Sequence, residues 1–203
     1  IAQIARTRSY QLLMFPSCMA RMQDDLLLNG TPQCKGMEDR LVTILKMLTP
    51  EVVVTSSKLY TPVSIFDSIA EVQYWAKSQR DFIELLSPHT KSWLVIGDTP
   101  ELDLHVPDCL SQNKDNITRC GRTRKQATPR LFQAAEKYLV EDIARIQGQK
   151  IVYVDPTQWL CDEWCSPARG GLILYRDNNH ISLSTSFTYT TKIRAALDPL
   201  LGH

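Results

Sequence analysis

Trp93-Leu94-Val95-Ile96-Gly97-Asp98-Thr99-Pro100 is the stretch that decides the fold. Four large apolar residues follow one another without a polar break, then stop at a cluster of turn residues. A short continuous apolar run ended by Gly and Pro fits a strand buried on both faces. Three other runs share the character: Tyr10 to Phe15, Val52 to Thr55 and Ile151 to Val154. Helical patterns lie between them. Met37 to Leu48 places Leu41, Ile44, Leu45 and Leu48 on one stripe. Ile65 to Leu86 carries Ile69, Val72, Trp75, Phe82 and Leu86. Arg130 to Ile146 carries Leu131, Ala134, Ala135, Tyr138, Leu139, Ile143 and Ile146, with Thr128-Pro129 as its start signal. A last helix is expected over Thr188 to Leu201. Strands alternating with helices predict an α/β fold with a parallel sheet.

Three segments interrupt that rhythm: Asn29 to Gly36, Pro100 to Pro129 and Gln158 to Gly171. In open parallel sheets, ligands sit outside the carboxyl ends of the strands. The loops that follow Phe15, Thr55, Ile96 and Val154 all leave from that edge.

With 203 residues, the chain reads as a single domain of ordinary size over residues 1–203. It is 43% hydrophobic and 22% charged, a globular composition. A net charge of +1 gives no electrostatic case for nucleic acid or an anionic membrane surface. No apolar run is long enough to cross a bilayer. With no initiator Met and no leader pattern at Ile1, the chain reads as part of something longer. The six cysteines fall as near neighbours, Cys18 and Cys34, Cys109 and Cys120, Cys161 and Cys165. An even count in local pairs suggests disulfides and an oxidising compartment. Six cysteines admit several connectivities, and free buried thiols are the alternative. Zinc is disfavoured, because no CxxC occurs and no His stands at ligand spacing.

Tyr175-Arg176-Asp177-Asn178-Asn179-His180-Ile181-Ser182 holds the chemistry. A carboxylate and an imidazole three residues apart supply two parts of an acyl-transfer triad, the base and its orienter. The competing reading is a surface loop in which Asp177 caps a turn. Gly97-Asp98-Thr99-Pro100 looks like a nucleophile turn with Thr in place of Ser. A strand-ending turn whose Asp98 bonds backbone amides is the better reading, since a first-strand nucleophile should precede most of the fold. Ser17, Ser56 and Ser57 stand just past strands, where hydroxyls can face a developing oxyanion or merely cap strand ends. Asn116-Ile117-Thr118 fits a glycosylation sequon. Trp159, Trp164 and Tyr175 could line an acyl or carbohydrate pocket, or pack in the core.

The order of these motifs resembles the SGNH domain fused to the C-terminus of membrane acyltransferase-3 proteins, which O-acylate bacterial surface glycans. The resemblance rests on Phe15-Pro16-Ser17-Cys18, Pro50 to Ser57, Tyr60-Thr61-Pro62, Gly97 to Pro100, Val106 to Leu110, Tyr153 to Cys161 and Leu174 to Ser182. It implies a three-layer α/β/α sandwich with a central parallel sheet of flavodoxin-like order. It implies that His180 is the general base and Asp177 its orienter. It further implies an extracytoplasmic domain tethered to the membrane, a surface glycan as acceptor and an acyl donor delivered by a transmembrane acyltransferase domain. No cofactor or metal is implied here.

The family's nucleophile lies in a Gly-Asp-Ser-His segment at the end of its first strand, and no such segment occurs between Ile1 and His203. That strand lies inside the sheet, and removing it would bare the backbone groups of two neighbours. The expectation is therefore that strand and serine precede Ile1. The function expected is O-acyl transfer, O-acetyl in the first instance, through an acyl-serine. An O-acetyl esterase is the alternative, as is a non-catalytic glycan-binding domain that has lost its serine.

Overall fold

The computed structural model describes residues 36–56 and 68–202. The strand expected over Tyr10 to Phe15 and the pair Cys18 and Cys34 lie outside the described residues.

Three of the apolar runs are strands: Val52–Ser56 (β1), Ser92–Ile96 (β2) and Lys150–Val154 (β3). They form one parallel sheet with β2 in the middle. The register sets Ser56 beside Ile96 and Ile96 beside Val154, so the three carboxyl ends finish level. The longer helices among the described residues are Met37–Leu48 (α1), Ile69–Leu86 (α2), Val106–Gln112 (α3), Arg130–Ile143 (α4), Leu183–Thr188 (α5) and Thr190–Leu197 (α6). α2 starts at Ile69 because Ser68 and Glu71 form a capping box, each side chain accepting from the other's backbone N–H.

The alternation of side chains along β2 makes the layers. Trp93 and Val95 point into a core built by α1, α2 and α4, with Trp75, Phe82, Leu86, Phe132 and Leu139. Leu94 and Ile96 point the other way, against Leu197 and Leu200 at the C-terminus. Trp93 and Leu94 are both fully buried, which accounts for a strand with no polar residue between its ends. Each such side chain stabilises the fold by about 1.5–3 kcal/mol relative to exposure. Helices on both faces of a parallel sheet give the three-layer α/β/α arrangement.

The helix read over Thr188 to Leu201 is α6 followed by a 3-10 turn at Asp198–Leu200, and a short helix that the sequence reading did not single out, α5, precedes it. Ser182 caps α5 by accepting from the Thr185 N–H. Within α5 the Ser186 and Thr188 hydroxyls bond the carbonyls of Leu183 and Thr185. Such local bonds compete with helix propagation, and the chain changes direction at Tyr189.

The long excursions are stapled. Cys109 and Cys120 are bonded, with Cα atoms 5.7 Å apart, and so are Cys161 and Cys165, at 4.2 Å. A second core lies under these loops, where Leu102, Val106, Leu160, Leu174 and Tyr175 pack on the Cys161–Cys165 bridge.

Candidate active site

The segment Leu174 to Ser182 folds back on itself. Tyr175 and Ile181 form an antiparallel bridge, Ser182 N–H donates to Leu174 O at 2.8 Å, and Arg176 N–H donates to His180 O at 2.9 Å. Tyr175 anchors the turn in the second core, fully buried. Asp177 uses its two oxygens differently. Oδ1 accepts the backbone N–H groups of Asn179 (3.0 Å) and His180 (2.8 Å), which fixes the turn. Oδ2 lies 2.8 Å from His180 Nδ1. Burial opposes charge on Asp177 but is outweighed by these hydrogen bonds and by the imidazole, and its carboxyl is held at about 2, below the ordinary 3.8. An ionised carboxylate only accepts, so Nδ1 carries a proton and Nε2 is left with a lone pair. Asp177 thus caps the turn through Oδ1 and bonds the imidazole through Oδ2.

The strap that follows β2 holds this turn in place. Thr99 Oγ1 donates to Asn179 O (2.7 Å), Leu102 N–H to Asn178 O (2.9 Å) and Val106 N–H to Asp177 O (3.3 Å). Asn178 Nδ2 adds a bond to Glu101 Oε1 at 2.5 Å. The Thr99 hydroxyl therefore serves as a clamp, while Asp98 Oδ1 accepts the Thr99 N–H at 2.8 Å. Gly97 is needed for space. A Cβ there would stand 2.2 Å from Tyr153 Oη and 2.7 Å from Glu136 Oε2.

Glu136 on α4, which bonds the backbone of the cleft-lining Asp98, is a residue that sequence reading missed. It sits on the helix face that meets the strand ends, and its Oε1 accepts the Asp98 N–H at 3.1 Å. Burial pushes its carboxyl up to about 8; the Asp98 N–H pulls the other way, and the Asp98 and Asp155 carboxylates add to the rise. Oε2 is sealed without a partner, as is Tyr153 Oη. An acidic residue between Ala135 and Lys137 on a helix reads as solvent-facing, so only a register of the helix against the sheet could have revealed it.

A cleft of about 380 Å³ opens at the carboxyl ends of the strands, where His180, Asn179, Ser56, Gly97, Thr99 and Trp159 meet. Ser56 thus shares the cleft with His180, while Ser17 and Ser57 lie outside the described residues. Of the three aromatics, only Trp159 lines the cleft, in ring contact with Tyr189 at 5.3 Å. Tyr175 is core and Trp164 is part of the surface over the disulfide loop, 39% exposed.

A parallel sheet between helices, a cleft at its carboxyl edge and an Asp–His turn ahead of the last helices describe an SGNH-like α/β domain. A family model for the SGNH domain (fused to AT3 domains) matches residues 1–189, and the chain belongs to this family. Its fold is similar to that of the periplasmic domain of a lipopolysaccharide acetyltransferase from Salmonella ser. Paratyphi A. The two share 15% identity at a TM-score of 0.57, over 81% of this chain and 62% of that one. The chain thus spans less than two thirds of the domain it resembles. No curated protein matches it.

Proposed function

We propose that this chain is the base-bearing part of an O-acyltransferase that modifies a bacterial cell-envelope glycan, in the first instance with acetyl. The observation that carries the reading is the 2.8 Å bond from His180 Nδ1 to a depressed carboxylate, on a turn that faces the cleft. His180 Nε2 takes the proton of a serine hydroxyl, and the serine oxygen adds to the acyl carbonyl carbon. Collapse expels the donor's leaving group, which departs with that proton. In the second half, Nε2 takes the proton of a sugar hydroxyl, the sugar oxygen adds to the acyl carbon, and collapse releases the serine oxygen, which leaves with that proton. Asp177 keeps Nδ1 protonated and steadies the imidazolium formed in each half. The nucleophile is a serine, and Ser56 is assigned to contact with the transferring group. This domain supplies no cofactor or metal; the acyl donor comes from the AT3 domain to which family members are fused.

The location is extracytoplasmic, tethered through that membrane domain. Two disulfides among the described residues and the periplasmic relative support it. No described helix is long and apolar enough to cross a membrane. The test is His180→Ala in the full-length protein: glycan O-acylation in cells is lost while the circular dichroism spectrum is retained. Unchanged acylation sinks the reading.

One observation favours a second reading. The His180 side chain is 56% exposed, so water can reach it and act as acceptor, which makes the protein an O-acetyl esterase. Acyl release measured with and without glycan separates the two: transfer requires that glycan suppress hydrolysis.

A further inference from the structure

Beside the cleft stands a cation that the acyl-transfer step does not use. Tyr189, at the start of α6, and Ile193 within it both line the cleft. Lys192 comes between them and shares a helix face with Tyr189, one turn earlier. Its Nζ lies 5.7 Å from the centroid of the Trp159 ring, and the residue is exposed. Among the described residues no carboxylate pairs with it. An ammonium resting on an indole face keeps its charge available, whereas one paired with Asp or Glu must first be released to bind an anion.

The wall under that ammonium is held in place by the protein itself. Trp159 O accepts from Tyr189 Oη at 2.9 Å and from Arg169 Nη1 at 3.1 Å, and Arg169 Nη2 donates to Leu160 O at 3.2 Å. Arg169 thus spends donors on carbonyls. Its acidic neighbour, Asp162, is 3.9 Å away and 93% exposed, so water screens the pair and Arg169 remains a second cation against Trp159. The carboxylate that lines the cleft, Asp98, belongs to the strap after β2, where its Oδ1 accepts the Thr99 N–H. A fixed aromatic wall with a few polar groups at its edge suits a ring that has C–H faces and polar substituents. A sugar is such a ring, and the two cations specify its charge.

We infer that the Trp159 wall binds an acidic sugar of the acceptor glycan, with a carboxylate or phosphate on the sugar paired to Lys192. The inference rests on the acyl-transfer reading above and narrows its acceptor from a glycan to an anionic one. The C–H face of the sugar lies against Trp159 and Tyr189. Its hydroxyls are left to face His180, which lines the same cleft.

The test reads binding without turnover, in the full-length protein carrying His180→Ala. The probes are a neutral hexose disaccharide, its counterpart with a uronic acid and its counterpart with a phosphate monoester, each titrated by calorimetry. At least one acidic probe is expected to bind roughly fivefold or more tightly than the neutral one, a margin that shrinks as salt is raised. Adding Lys192→Gln removes the margin and Lys192→Arg retains it. The tighter acidic probe identifies the anion as carboxylate or phosphate. Equal affinity for neutral and acidic probes overturns the inference. So does a margin that survives in K192Q, and so does a failure of all three probes to bind. Acyl transfer is measured separately with His180 intact. Transfer to neutral and acidic glycans with equal efficiency overturns this inference and leaves the acyl-transfer reading standing. Lys192-dependent binding of an acidic probe with no transfer to any acceptor brings down the acyl-transfer reading and leaves the sugar site in place.

Discussion

Replacing Gly97 by alanine should destabilise the protein through two named atoms, and removing one of them should repair part of the damage. The new Cβ meets Tyr153 Oη at 2.2 Å and Glu136 Oε2 at 2.7 Å. Both lie inside the packed seam between α4 and the strand ends, where side chains cannot swing freely. Overpacking of this kind costs about 1–3 kcal/mol. Pushing Glu136 aside also loosens its bond to the Asp98 N–H, adding about 1 kcal/mol. The expected loss for G97A is therefore about 2–4 kcal/mol, a fall of roughly 1–2 M in the urea midpoint for a domain of this size. Tyr153→Phe alone removes a buried hydroxyl without a partner, and should be neutral or slightly stabilising. In the double variant the tightest contact is gone while Glu136 Oε2 and Tyr153 Cζ (3.0 Å) remain. Recovery of about 1–2 kcal/mol follows, as a coupling energy in a double-mutant cycle. Urea unfolding followed by far-UV circular dichroism on all four proteins gives the cycle. A G97A loss under about 0.5 kcal/mol, or strictly additive substitutions, would refute the reasoning.

Three other outcomes are expected. Because the Asp177 pKa is depressed to about 2, its contribution is complete above the ordinary value of 3.8 and is lost as pH falls through about 2. The shift is worth about 2 kcal/mol, reduced to about 1 by solvent around the exposed imidazole; urea unfolding from pH 2 to 5 should show the slope in wild type and not in D177N. Glu136 has the opposite sign: a pKa raised from 4.5 to about 8 means that the folded state holds the proton longer, so stability falls as pH rises between those values. Glu136→Gln, which mimics the neutral acid, should flatten that fall and gain roughly 4 kcal/mol at pH 8, with no gain near pH 4; a wild-type slope in E136Q contradicts this. Replacing Cys109 and Cys120 by serine should cost about 3 kcal/mol, and the shorter Cys161–Cys165 loop about 2, measured as melting shifts under non-reducing conditions.

The sheet was legible because its strands carry the signal themselves. Trp93 to Ile96 is apolar on both faces, which fits only a strand covered from both sides. Asp177 and His180 were legible because they are close in sequence, so the loop that joins them also brings their side chains together. Glu136 was not. Its placement comes from packing across the fold, α4 against the end of β2. The short helix α5 was not legible for a different reason: Leu183 to Thr188 is rich in Ser and Thr, which favour caps and turns over helix interiors. Ser17, Ser57, Cys18 and Cys34 lie outside the described residues.

The strap over the Asp177 turn also shapes the electrostatics of the cleft. Four consecutive carbonyls, from Asp177 to His180, accept hydrogen bonds from Val106, Leu102, Thr99 and Arg176 in turn. Each of these carbonyl oxygens thereby accepts a donor from within the protein. What the turn offers the cleft is the His180 imidazole, while its carbonyls are engaged elsewhere. The same four bonds that fix the turn's shape thus also partly offset the repulsion its carbonyl oxygens would exert on an anion.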